Sequence, residues 1–151
     1  MDSELLVRLI LLLPLFGAVV NGLGPLFVEQ MRTREGWIGT LGTAVVVVPF
    51  ALTAYLFATF DGTPVVVDFF TWMEAGDLSL QFSYLVDELS LIMTLVVTGV
   101  GGVIHLYSTG YMHGDSGYWR FFAYLNLFIF AMLNLVLANN LPVLFLGWEG
   151  V

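Results

Sequence analysis

Glu149 is the residue whose type and position in this sequence could carry chemistry. It lies eight residues beyond Leu141, where a new apolar stretch begins. In a helix this separation corresponds to roughly 12 Å, which is about the middle of a roughly 30 Å hydrocarbon layer. An ionisable side chain at that level costs on the order of 2.5–3.5 kcal/mol, so it is rare unless another group faces it or uses it. Glu149 is therefore the first candidate for proton transfer.

Three other polar residues, His105, Asn126 and Asn134, fall inside apolar stretches. His105 can be an interfacial histidine with a backbone or water partner, or a member of a proton relay. Asn126 and Asn134 can form hydrogen bonds between helices, or they can hold a water chain. A structural alternative for Glu149 is that it caps one of these asparagines.

Composition indicates the class of protein. Hydrophobic residues make up 59 % of the chain and charged residues only 11 %, and the mean hydropathy is +0.93. A soluble chain is nearer 25 % charged. With no cysteine, the chain offers no thiolate, disulfide, iron-sulfur ligand or CxxC zinc site. We therefore expect an all-α, polytopic membrane protein whose redox chemistry, if there is any, lies in other chains.

Apolar runs divide the chain into four complete transmembrane spans and the start of a fifth. They lie at about residues 5–28, 37–60, 87–108, 120–138 and 141–151. The last run has 11 residues, short of the roughly 20 that cross a bilayer. We therefore expect residues 1–151 to be the N-terminal part of one larger membrane domain.

The segment between the second and third spans is predicted to be a β-hairpin, at about residues 64–84. Val65 to Trp72 is rich in β-branched and aromatic residues, and apolar and polar residues alternate from Leu78 to Tyr84. Glu74 to Asp77 supplies turn residues. The segment carries acids but no lysine or arginine. We expect it to lie on the outer membrane surface.

Two parts of the sequence resemble a known family. These parts are TWMEAGDLSLQF at 71–82 and the whole of 87–151, which includes GVGGVIHLYSTGYMHG and ends in LPVLFLGWEGV. They are similar to subunit L (chain 5), the antiporter-like subunit family of respiratory NADH-quinone oxidoreductase. The first two spans resemble this family only in their general apolar character.

This resemblance implies a membrane-arm subunit that translocates protons, coupled to electron transfer from NADH to quinone. The glutamate of the GWEG motif is functional in that family, and the matching position is Glu149. No cofactor is expected in this chain, because the resemblance places NADH, FMN, iron-sulfur clusters and quinone in partner subunits. The expected partners are other membrane-arm subunits of complex I and the lipid bilayer, not nucleic acid. The expected location is the inner (cytoplasmic) membrane of a bacterium.

The sequence also departs from the family pattern. The partner lysine of the family's glutamate, on a later helix, is absent here, so these residues alone are not expected to be catalytic. Asn139 stands where the family commonly has an acid, so a charge-dependent role there is in doubt.

Other functions remain open at this stage. Related chains suggest the large subunit of a multisubunit sodium/proton antiporter, or a subunit of a bicarbonate-uptake complex. A haem-bearing electron carrier would use His105 and His113 as axial ligands, but eight residues on one helix do not place them across a haem. A structural membrane segment without activity is a further possibility.

Loop charge predicts the orientation of the chain in the membrane. Cytoplasmic loops are rich in lysine and arginine, so the connector with Arg32 and Arg34 should be inside and the hairpin outside. The N-terminus then lies on the periplasmic side and His113 on the cytoplasmic side. In intact cells, an impermeant thiol reagent should label a cysteine at Ala75 and spare cysteines at Thr33 and Gly114. Labelling of Thr33 or Gly114 without Ala75 would reverse the topology.

Overall fold

Five α-helices and one β-hairpin make up the fold in the computed structural model, which describes residues 3–76 and 78–151. The helices are α1 (Ser3–Phe27), α2 (Glu35–Thr59), α3 (Glu88–Tyr111), α4 (Tyr118–Leu137) and α5 (Leu141–Gly150). A 3-10 helix, Glu29–Thr33, connects α1 to α2. The strands β1 (Val65–Ala75) and β2 (Leu78–Val86) form the hairpin between α2 and α3. The first four helices are long and apolar enough to cross a membrane.

The predicted fold class is confirmed: four candidate spans, with an antiparallel hairpin between the second and the third. Asp77, a predicted turn residue, lies outside the described residues, but Gly76 next to it has a φ of +61°. That left-handed conformation favours glycine. The pairing shifts register after Asp68 and again after Thr71, and such bulges increase the twist of a strand.

Helix α4 packs against all four other helices, while α2 packs mainly against α1 and α3. Many leucines, valines and phenylalanines on the outer faces remain exposed, as expected for helices that face lipid. We call the end formed by residues 28–34 and 112–117 the loop end, and the opposite end, which carries the hairpin, the hairpin end. Helices α1 to α4 run alternately between these two ends.

Local polar groups determine where two helices begin. Asp87 and Ser90 form a reciprocal capping box at α3, in which the Ser90 amide donates to Asp87 Oδ1 at 2.7 Å. Asn140 caps α5 by accepting from the Val143 amide at 3.0 Å, and Pro142 lies in the first turn. Both helices begin at the hairpin end, so α5 runs antiparallel to α4.

Gly147 lets α5 approach the backbone of α4 closely. A Cβ atom built at this glycine would lie 2.6 Å from the Leu135 amide nitrogen and 2.8 Å from Leu135 Cα. Backbone atoms cannot move aside as a flexible side chain can. The distance between α4 and α5 therefore depends on the missing side chain.

Gly147→Ala should push α5 away from α4. Overpacking of this kind typically costs about 1–3 kcal/mol, so we expect a lower melting temperature for the purified protein in detergent. Gly110→Ala is the control, because a Cβ at Gly110 meets no atom within 4 Å. Equal melting temperatures for the two variants would show that Gly147 does not determine the distance between α4 and α5.

Candidate functional site

A layer of buried polar side chains joins the first four helices. Asn126 on α4 is fully buried, and its Nδ2 donates to the Gly42 carbonyl on α2 at 2.9 Å. The same Nδ2 lies 3.0 Å from His105 Nε2 on α3. Asn21 on α1 donates from its Nδ2 to Asn126 Oδ1 and to the Ile38 carbonyl, both at 3.4 Å. We call Asn21, His105 and Asn126 the polar layer.

The hydrogen bonds of His105 define its protonation state in this structure. Nδ1 lies 2.7 Å from the Gly101 carbonyl, and a carbonyl can only accept, so Nδ1 carries a hydrogen. Nε2 faces the Asn126 amide, whose nitrogen can only donate, so Nε2 is the acceptor. The ring is therefore neutral. It is fully buried within the bundle.

Asn21 was missed by the sequence analysis. The available signal was an asparagine inside the first apolar span, of the same kind as Asn126 and Asn134 in the fourth. Small residues make room for the layer: a Cβ at Gly42 would lie 3.2 Å from Asn21 Nδ2, and one at Gly17 would lie 3.1 Å from Asn126 Oδ1. Glycine lets these helices approach closely enough for short amides to meet.

Asn134 takes part in a different set of contacts, towards the hairpin end. Its Oδ1 accepts from the Tyr84 hydroxyl on β2 at 2.5 Å, and its Nδ2 donates to the Phe130 carbonyl of its own helix. Burial raises the pKa of Tyr84, which keeps the hydroxyl protonated and able to donate. Asn134 therefore ties the hairpin to α4.

The segment between α4 and α5 also binds the hairpin. The Asn139 amide donates to the Ser83 carbonyl at 3.1 Å, and Asn139 Nδ2 donates to Ser83 Oγ at 3.1 Å. Asn140 Nδ2 donates to the Gln81 carbonyl at 2.8 Å. Asn139, the position that departs from the family pattern, thus makes neutral contacts with β2.

Glu149 lies on the exposed face of α5, apart from the polar layer. Val143 and Gly147 are the buried positions of this helix, and they face α4. Among the described residues, Glu149 has no hydrogen-bond partner, and it caps neither Asn126 nor Asn134. The structure therefore brings His105 and Asn126 together, but it does not bring Glu149 or Asn134 to them.

The described residues form no site for a metal ion: no three histidine, aspartate or glutamate side chains within residues 3–76 and 78–151 lie close enough to hold one. The two histidines point to different partners. His105 binds Asn126 and Gly101, whereas His113 Nδ1 lies 2.7 Å from Glu35 Oε2 at the loop end.

The four apolar helices and the buried polar layer that joins them define a polytopic helical membrane protein. Comparisons with known proteins refine this class. The family model described as NADH-Ubiquinone oxidoreductase (complex I), chain 5 N-terminus, matches residues 72–122.

Named relatives extend the match to almost the whole chain. It is 43 % identical over 147 residues to NADH-quinone oxidoreductase subunit L of Escherichia coli, a match that covers 97 % of this chain and 24 % of that protein. It is 40 % identical over 148 residues to the subunit L of Mycobacterium tuberculosis, covering 95 % and 22 % respectively. The chain belongs to the subunit L (chain 5) family of NADH-quinone oxidoreductase. It spans about a quarter of the length of these relatives.

A solved structure has the same fold. A chain in the structure of the Mrp complex from Dietzia sp. superposes with a TM-score of 0.74 at 27 % identity, covering 95 % of this chain and 14 % of that chain. The arrangement of helices and hairpin therefore also occurs in a chain of the Mrp complex.

Asn126→Ala should destabilise the bundle more than Asn134→Ala. The first change leaves partners on three other helices unpaired, whereas Asn134 has one tertiary partner, Tyr84. At about 1–2 kcal/mol for each interhelical hydrogen bond, we expect losses of about 3–6 and 1–2 kcal/mol. Unfolding of the purified protein in detergent measures both. An equal or smaller loss for Asn126→Ala would mean that the polar layer does not hold the bundle together.

Proposed function

We propose that this chain is part of a membrane-arm subunit that translocates protons, coupled to electron transfer from NADH to quinone. The identity of about 40 % to subunit L across nearly the whole chain supports this function. The observation that carries the proton-transfer role is Glu149, an exposed carboxylate on an apolar helix, without a partner among the described residues. It lies eight residues after the start of α5, roughly 12 Å from the hairpin end.

Glu149 can take up and release a proton because two opposing effects act on a carboxylate at that depth. Desolvation favours its neutral form, whereas an approaching cation favours the charged form. A basic residue on another helix that moves towards Glu149 and away again would therefore bind and release one proton per movement. A carboxylate held permanently in hydrogen bonds could not respond in this way.

The polar layer has a supporting role in this proposal. His105 and Asn126 already use their side-chain atoms in hydrogen bonds that fix a neutral imidazole. A proton on Nε2 would face the Asn126 amide hydrogens and break the layer. We therefore assign His105 and Asn126 to helix packing, with Asn134 as the tie to the hairpin, and we assign the proton-carrying role to Glu149.

The proposal also includes the cofactors, the partner subunits and the membrane in which the chain acts. NADH, FMN, iron-sulfur clusters and quinone belong to partner subunits, and other membrane-arm subunits and lipid are the partners of this chain. The membrane is the inner (cytoplasmic) membrane of a bacterium. The loop end, with Arg32 and Arg34, faces the cytoplasm and the hairpin faces the periplasm, in agreement with the bias of basic residues.

The likeness to the Mrp complex supports a second candidate function. In that case the chain is part of the large subunit of a multisubunit sodium/proton antiporter, or of a bicarbonate-uptake complex. The two candidates differ in their energy source: the first requires proton movement on addition of NADH, and the second requires proton movement in exchange for sodium without NADH.

Glu149→Gln in the assembled complex should abolish most NADH-driven proton pumping, because the amide keeps the size and hydrogen bonding of the side chain but cannot ionise. Proton uptake by inverted membrane vesicles, divided by NADH oxidised, measures the effect. Glu74→Gln is the matched control, since Glu74 is an exposed residue of the hairpin. Normal assembly with an unchanged ratio of protons to electrons would make Glu149 structural.

A further inference from the structure

A cleft of about 670 Å³ opens between α2 and α3 at the loop end. Six polar residues contribute to its walls: Glu35, Thr40, Thr43, Thr109, His113 and Tyr118. One water molecule occupies about 30 Å³ in the liquid. The cleft is therefore large enough for a cluster of water molecules, although most of its wall area is apolar.

Groups that exchange protons with water lie at the mouth of this cleft. His113 Nδ1 is 2.7 Å from Glu35 Oε2, and the Gly114 amide donates to Glu35 Oε1 at 3.2 Å. The His113 side chain is 81 % exposed and the Glu35 side chain is 26 % exposed. Both side chains can form hydrogen bonds with water at the mouth of the cleft.

Thr43 lies deeper in the cleft, and its hydroxyl differs from those of the other buried threonines of the helices. Thr53, Thr94 and Thr98 each donate to the carbonyl four residues earlier. In the part of the chain that the structure describes, Thr43 Oγ1 is buried without a hydrogen-bond partner. Thr43 also lines the cleft, so water in the cleft is an available partner for this hydroxyl.

The cleft ends close to the polar layer but does not reach it. Thr43 follows Gly42, whose carbonyl accepts from Asn126. Phe122 is fully buried and packs between Tyr118 and His105, with ring centroids 4.9 and 6.1 Å away. An apolar ring thus separates the water-sized space from the buried imidazole.

We propose that this cleft is a hydrated entrance that admits aqueous protons from the loop end as far as Thr43. The alternative is a lipid groove, in which an acyl chain fills the cleft. An acyl chain would cover the Glu35 carboxylate and the threonine hydroxyls without offering a hydrogen bond. The argument for hydration rests on the polar groups among the mostly apolar walls and does not depend on Glu149. Its role as an entrance for protons rests on the proposed function.

Cysteine labelling tests the hydration, because thiol reagents attack the thiolate, which forms in water and is suppressed in hydrocarbon. Thr43→Cys is compared with Tyr107→Cys, which is 68 % exposed and does not line the cleft. A Cβ at Gly102 would touch Val47, so these two residues lie at about the same depth on antiparallel helices. Towards the loop end, Thr43 is four residues from Val47 and Tyr107 is five residues from Gly102. Tyr107 therefore lies at about the depth of Thr43, slightly nearer the loop end. Position 107 is thus a strict control for depth.

The assembled complex in permeabilised membrane vesicles is treated with a small, charged methanethiosulfonate, which makes the result independent of orientation. The subunit is then separated, and its labelling is compared with that of the parent protein. We expect Thr43→Cys to react at least about tenfold faster than Tyr107→Cys, the effect of one unit in thiol pKa. Thr40→Cys, at an exposed position in the wall, should react at least as fast.

Equal or slower labelling at both Thr40 and Thr43 than at Tyr107 would identify a lipid-filled groove and overturn the proposal. If Thr43→Cys prevents folding, the rate at Thr40 decides alone. Labelling detects water and not pumping, so this result does not depend on the outcome for Glu149→Gln. The hydrated entrance and the proton-carrying role of Glu149 can therefore fail separately.

Discussion

The absence of water from the hydrocarbon layer is the constraint on which this structure depends. A polar side chain on a membrane helix must find its hydrogen-bond partners within the protein, since lipid offers none. Asn126 meets this requirement with Gly42 on α2, His105 on α3 and Asn21 on α1. One short amide therefore specifies how four helices align, because a helix that slides or rotates would leave buried polar atoms unpaired.

The same requirement explains the contacts of the hairpin. Its strands lie across one end of the bundle, where polar groups of the helix termini need partners. Tyr84 binds Asn134, Ser83 binds Asn139, and the Asp68 carbonyl accepts from Arg8 at 2.9 Å. These contacts join β1 to α1 and β2 to the segment that leads into α5. The hairpin thus helps to fix where α5 begins, and with it the depth of the proposed proton carrier.

Polar groups with hydrogen-bond partners and polar groups without them lie largely in different parts of the molecule, and this separation agrees with the proposed function. Within the polar layer, His105 and Asn126 use all their polar side-chain atoms in hydrogen bonds, which hold His105 neutral, whereas Asn21 Oδ1 has no partner among the described residues. Glu149 and the walls of the cleft present polar atoms towards places that other molecules can occupy. A proton carrier needs a partner that comes and goes, whereas a helix tie needs partners that stay. The chain provides both kinds of group on different faces.

The sequence by itself determined the class of the protein, the four spans and the hairpin. Each of these follows from local composition and spacing, because a stretch of about 20 apolar residues or an alternating strand pattern is read along the chain. The resemblance in residues 71–82 and 87–151 led to the family that the comparisons established. The orientation and the role of Glu149 stay predictions.

Only the tertiary structure decided which polar residues meet. Asn126 and Asn134, eight residues apart on one helix, could not be distinguished from the sequence. In the structure Asn126 faces the bundle centre, whereas Asn134 faces Tyr84. Asn21 gained its importance only when α1 lay beside α4, more than one hundred positions later in the chain. For His105 the sequence left a backbone or water partner and a proton relay open, and the packing buries it between the Gly101 carbonyl and Asn126. Hydrogen bonds between distant segments depend on how the helices pack, and that information is not contained in any single stretch of residues.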